Sequence, residues 1–235
     1  CSLFALLMGN AQETYIYCGK LIDTQNGKVL TNKTIVVSDK LIKNIQDGFV
    51  VPTESDTKII DLKSKTVMPG WIDMHVHLES ETSPKEYLER FTLNDADVAY
   101  NAEVLAKTTL MAGFTTVRDL GGTGVNVSLR NAINKGLVVG PRIFTAEKSI
   151  ATTGGHADPT SGFKKELMGN PGPKEGVINS VDEARQAVRQ RYKNGADWIK
   201  ITATGGVLSV AKSGSNPQFT EEEITAIVNT AKDYG

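Results

Sequence analysis

Residues 67–80 read VMPGWIDMHVHLES: a Pro-Gly pair, then an apolar run carrying two of the chain's three histidines one residue apart. As a strand, this run alternates, with Asp73, His75 and His77 on one face and Ile72, Met74, Val76 and Leu78 on the other. The apolar row packs under helices, and the polar row points into the interior of the sheet. Burying two imidazoles with a carboxylate is costly unless something pairs with them, and a divalent metal held by neutral imidazoles at i and i+2 would do so. The other reading is a hydrogen-bonded histidine pair, or a strand with a polar outer face. The row lies beside the strand's C-terminal end, where α/β proteins build their sites, which favours metal.

Downstream the pattern alternates strand and helix. TTVRDLG (115–121), RIFTAEKS (142–149) and WIKITATG (198–205) are strand candidates. DADVAYNAEVLAKTTLMAG, NVSLRNAINKG, SVDEARQAVRQRYKNG and TEEEITAIVNTAKDYG have helical spacing, most with a glycine at the stop. Ser180 can cap the third of these, with Glu183 three residues on. Such alternation predicts a parallel sheet with helices outside it. Upstream, from Tyr15 to about Lys65, the runs YIYCGKLID, TIVVS, LIKNIQ and TKIIDL are short and two-periodic between turn residues, which predicts a small β module.

The chain opens CSLFALLMGNAQ, an apolar core followed by small residues at Gly9 and Ala11, the pattern of a secretory signal without its basic start. It is too short to span a bilayer. The expectation is a partial signal peptide over 1–11, with a first strand or buried helix turn as the alternative. Cleavage there would leave Cys18 without a disulfide partner and put the protein in the bacterial periplasm or outside the cell. The formal net charge is −1 and no Lys/Arg block stands out, so there is no electrostatic footprint for nucleic acid or an anionic membrane. A small-molecule or peptide partner is expected, and a homo-oligomer is possible.

Lys200, in GADWIKITATGG, alternates with Ile199 and Ile201 and so points inward with Thr202. An ammonium there must be neutral, paired with an acid or chemically changed. Carbon dioxide adding to the neutral amine would give a carbamate, an oxygen-donor anion that can bridge two metal ions. A salt bridge across the sheet to Asp119 or Asp73 is the equal alternative.

VMPGWIDMHVHLE, GFTTVRDLGG, TGGHAD and ADWIKITATGGVLS together resemble the metal-dependent amidohydrolase superfamily, in the branch of Xaa-Pro dipeptidases and imidazolonepropionase-like hydrolases. The resemblance implies a TIM (β/α)8 barrel with a small β-sandwich built from both chain ends. It makes His75 and His77 metal ligands from the first barrel strand and Lys200 the carbamylated bridge from the fourth. His156, on the Gly-rich loop after the third strand, resembles the family histidine that faces the scissile group. A solvated loop histidine is the alternative, and Ala157 stands where relatives often have glycine.

The resemblance further implies one histidine from each of strands five and six and a catalytic aspartate from strand eight, none within this sequence. From Thr66 onward the chain is also shorter than the about 250 residues of a whole barrel. The expected organisation is 12–65 as part of the sandwich and 66–235 as the first four βα units, with no catalytic proton shuttle before Gly235. The expected activity is hydrolysis of amide C–N bonds in dipeptides or N-acyl amino acids by metal-activated hydroxide, with about two zinc ions per complete chain. The alternatives are a cyclic-amide hydrolase or deaminase of the same superfamily, which Lys200 argues against for deaminases, and a non-catalytic assembly protein on the same fold.

Overall fold

The computed structural model describes residues 12–55, 57–206, 209 and 211–235, so the signal-peptide expectation for 1–11 lies outside the described residues. The chain divides into two compact units between Pro69 and Gly70.

In the first unit, β1 (Thr14–Asp23), β2 (Lys28–Ser38), β3 (Leu41–Asp47) and β4 (Lys58–Val67) form one sheet in the order β3-β2-β1-β4. β1 runs antiparallel to β2 and parallel to β4. Local chemistry sets the turns. Asp39 and Lys40, both at positive φ, make a two-residue turn between the paired Ser38 and Leu41, which matches the strand twist. Asp23 accepts hydrogen bonds from the backbone N–H of Gln25 and Asn26 and closes the first hairpin. A β-bulge separates Cys18 from Lys20, and a Cβ on the intervening Gly19 would stand 1.9 Å from the Lys63 carbonyl oxygen. Cys18, Leu21 and Ile35 form the buried core of this unit. Among the described residues this unit holds one four-stranded sheet.

The second unit begins with β5 (Trp71–Val76) and α1 (Glu86–Thr92), then α2 (Asp95–Met111), β6 (Phe114–Asp119), α3 (Val125–Asn134) and β7 (Arg142–Thr145). There follow β8 (Ala151–Thr152), α4 (Lys165–Met168), β9 (Val177–Ile178), α5 (Val181–Asn194) and α6 (Glu221–Asp233). β5, β6 and β7 form a parallel sheet in chain order, as successive βα units should. Two helix-backed cores support it. Leu78, Ala102, Ala106, Val117, Leu129 and Ile143 make one, and Ile150, Ile178, Ala187, Val188, Phe219 and Ile227 belong to the other. The Ser180 hydroxyl accepts from the Glu183 N–H, and Gly195 ends α5 in the left-handed region, as the sequence predicts.

WIKITATG is shorter as a strand than expected. It makes one parallel bridge, Ile150 to Ile201, through Ile150 N to the Lys200 oxygen (2.8 Å) and Thr202 N to the Ile150 oxygen (3.0 Å). At Asp197 the backbone N–H donates to the Thr145 oxygen (2.8 Å), while its carboxylate takes the Thr145 N–H (2.8 Å) and the Arg130 guanidinium (2.7 Å), so backbone and side chain together tie the segment to β7. The parallel sheet has three strands, with the bridge between Ile150 and Ile201 beside them, and the described residues do not close a barrel. Among them no helix is long and apolar enough to cross a membrane.

Candidate metal centre and active site

Val76 and Leu78 pack with the helix-backed core, so alternation turns His75 and His77 to the opposite face, as expected. The outer row is only half buried, because Ile72 and Met74 are 60% and 52% exposed. The two imidazole rings stand edge to face with centroids 5.6 Å apart.

His77 is oriented from behind. Its Nδ1 lies 2.7 Å from the Gly121 carbonyl oxygen, and donation there puts the proton on Nδ1 and leaves the Nε2 lone pair free. Gly121 has φ of 132°, a conformation closed to other residues, and a Cβ there would meet the Ser149 hydroxyl at 2.5 Å. The Gly121 N–H donates to Asp119 Oδ1 (3.2 Å), while Asp119 Oδ2 takes the Leu78 N–H (3.0 Å). Asn126 Nδ2 donates to the same Asp119 carboxylate at 2.8 Å. Asp119 thus ties the ends of β5 and β6 together. Its burial raises its pKa above the ordinary carboxylate value, against these hydrogen bonds.

The surroundings of His75 favour its neutral form. Burial lowers its pKa most, and the nearby charges of Lys200, His77 and Arg118 add to the effect. The sign follows directly: a folded-state imidazole below its ordinary value of 6.5 resists protonation that the unfolded chain accepts. Acidification below that value therefore works against both the fold and ligation.

Lys200 is half-buried, and its pKa falls below 10.5 through burial first and the Arg118 charge second. It makes no ion pair among the described residues, so neither Asp119 nor Asp73 is its partner. Asp119 is engaged elsewhere, and the Asp73 carboxylate accepts the His75 N–H at 3.0 Å. With no acid beside it, Lys200 gives up its proton more readily than an ordinary lysine. Competitive acylation of the full-length protein, kept free of carbon dioxide and read by mass spectrometry across pH, is expected to give Lys200 a labelling midpoint below 10.5. A midpoint at that ordinary value would contradict the electrostatic reading.

Arg118 was not singled out by the motif, although the alternation that turns Val117 outward turns it inward. Its Nε donates to the Met74 carbonyl oxygen (2.7 Å), and its guanidinium stands 4.8 Å from the Trp198 ring centroid. From β6 it therefore reaches both β5 and the segment that carries Lys200, and its charge bears on His75 and Lys200.

His156 lies in a loop shaped by Asp158, which accepts the Gly154 N–H (2.7 Å) and the Thr160 N–H (2.9 Å). The His156 N–H donates to Gln218 Oε1 (2.9 Å). A Cβ on Gly206 would fall 2.8 Å from the imidazole, so the ring lies against the TGG segment that follows Lys200. The structure thus groups His75 with His77 and Lys200, and seats His156 on the Lys200 connection. Among the described residues no three His, Cys, Asp or Glu side chains converge. The donors here are two imidazoles and an amine.

Residues 66–235 match the model of the amidohydrolase family, and the chain belongs to that family. A crystal structure of a Xaa-Pro dipeptidase with methionine bound in the active site is 50% identical with a TM-score of 0.89, covering 95% of this chain and 55% of that one. A prolidase complexed with N-methylphosphonate-L-proline is 32% identical with a TM-score of 0.82, covering 95% and 54%. Ochratoxinase of Aspergillus niger is 32% identical over 242 residues, which cover 94% of this chain and 48% of the enzyme. The chain spans about half the length of these relatives.

Proposed function

We propose that the full-length protein is a metal-dependent hydrolase of amide bonds, acting on dipeptides of the Xaa-Pro kind or on N-acyl amino acids. One observation carries this reading: His75 and His77 are neighbouring imidazoles with ring centroids 5.6 Å apart, and the second is fixed through Nδ1 with Nε2 left as its donor. That donor chemistry fits part of a divalent metal site. The dipeptidase, prolidase and ochratoxinase relatives support the amide class.

His75 and His77 would hold metal through ring nitrogens, and Lys200 would join them once carbon dioxide has replaced its charge with an oxygen donor. Divalent ions in such a site lower the pKa of water and polarise a carbonyl, and imidazole with carboxylate-like donors suits zinc. The chain's own residues prepare this. Gly121 and Asp119 fix the His77 ring, and burial with the Arg118 charge lowers the pKa of the Lys200 amine, which favours the form that adds to carbon dioxide. His156 faces the substrate from a loop that Asp158 and Gln218 hold in place.

The test is a substrate panel on the full-length protein. Xaa-Pro and other dipeptides are expected to turn over well ahead of nucleobases and cyclic ureas. Ammonia released from a nucleobase with no dipeptide cleaved would reverse the assignment.

A further inference from the structure

The connection leaving β5 carries α1, and the connection leaving the third strand segment carries Phe163, seven residues past His156. In a parallel sheet both connections emerge at the C-terminal ends of the strands, the end where His77 and Gly121 stand. Across that end the two connections meet through aromatic rings. Phe163 lies 5.6 Å from Tyr87 and 5.8 Å from Phe91, centroid to centroid. The Arg90 guanidinium stands 5.4 Å from the Phe163 centroid and 5.8 Å from that of Tyr87, steadied by Glu86 at 3.0 Å.

This cluster is not core. α1 has no buried residue, and Tyr87 is 67% exposed despite its ring contact. Leu88 and Phe91 are exposed as well. Apolar rings that pack on one another outside any core, on the rim of a polar site, mark a binding surface. Their place on the two connections that leave the strand ends beside His77 and His156, and their flat ring faces, suit the side chain of a small amide.

We propose that Tyr87, Phe91 and Phe163 form an apolar wall at the substrate mouth, selecting amides that carry a large apolar side chain such as phenylalanine or methionine. The proposal rests on the amide-hydrolase reading and names the substrate class within it. Arg90 stiffens the wall by stacking on two of its rings, so the rings stay in place without core packing.

The test measures kcat and KM of the full-length protein, Phe163→Ala, Phe163→Leu and Tyr87→Ala on Phe-Pro, Met-Pro and Gly-Pro. For the two alanine variants, KM on Phe-Pro and Met-Pro is expected to rise about tenfold with kcat unchanged, while Gly-Pro stays within about twofold. Phe163→Leu keeps the bulk and should keep most of the preference. Equal losses on all three substrates would mean the rings only brace two loops, and unchanged KM values would mean they touch no substrate; either overturns the wall. Wild-type turnover judges the underlying reading separately. If no Xaa-Pro dipeptide is cleaved, calorimetric binding of N-acetylphenylalanine against N-acetylglycine still decides the wall. A preference lost in Phe163→Ala sustains it, and no preference refutes it.

Discussion

Replacing His75 and His77 together by alanine in the full-length protein is expected to abolish amide hydrolysis while leaving the fold intact. A bound metal supplies several kcal/mol of transition-state stabilisation, and each ~1.4 kcal/mol is a tenfold rate, so a fall in kcat/KM of about 10³-fold or more follows. Neither imidazole belongs to a hydrophobic core, so the substitutions leave the packing in place and change stability by only about 0.5 kcal/mol. Circular dichroism and urea unfolding should therefore match the unaltered protein. Gly121→Ala makes a gentler version of the same test. No alanine adopts a φ of 132° easily, so the carbonyl that holds His77 Nδ1 must move, and metal affinity should drop about 10- to 100-fold. Full activity in the double variant would remove the histidine pair from the site.

The largest expected loss of stability lies elsewhere, at Arg191. Its side chain is wholly buried, with Nε 2.9 Å from Glu147 Oε2 and a hydrogen bond from Nη2 to the Lys174 carbonyl. Burial lowers the guanidinium's pKa, and Glu147 with Glu175 opposes that. Glu147 is itself buried and held at φ of 63°. Its carbonyl accepts the Gly122 N–H (2.8 Å) and Asn126 Nδ2 (2.9 Å), which links the pair to the loop behind Gly121. Arg191→Met strands a buried carboxylate, and the expected cost is about 3–5 kcal/mol by urea denaturation. Adding Glu147→Gln removes the stranded charge and should restore a good part of it. A loss below about 1 kcal/mol for Arg191→Met would show that water already reaches the pair.

Much of this architecture is legible in local chemistry. Ser180, Gly195 and Thr220 bound α5 and α6 as their types require, and the apolar pair Val76 and Leu78 suffices to turn His75 and His77 to the face opposite that core. The same alternation could have settled one alternative for Lys200. Val117 and Asp119 share a side of β6, so Asp119 faces away from the row to which Lys200 belongs. Arg118 was open to the same reading but carries no ligand chemistry to draw attention to it.

What the sequence hides is pairing between distant segments. Asp197 ties the start of the fourth segment to Thr145, far away in the chain, and nothing local in WIKITATG announces it. The ring contacts of Phe163 with α1 and the ion pair of Glu147 with Arg191 likewise join residues whose neighbours in sequence give no hint of them. The left-handed Glu147 is held by long-range bonds that override the preference of its type.

The most direct test of metal-dependent amide hydrolysis is elemental analysis of the full-length protein, purified without chelator, with Xaa-Pro turnover measured on the same sample. The expected result is about two divalent ions per chain, turnover lost on chelation and restored by zinc. Undiminished turnover in a sample that contains no divalent metal would contradict the account.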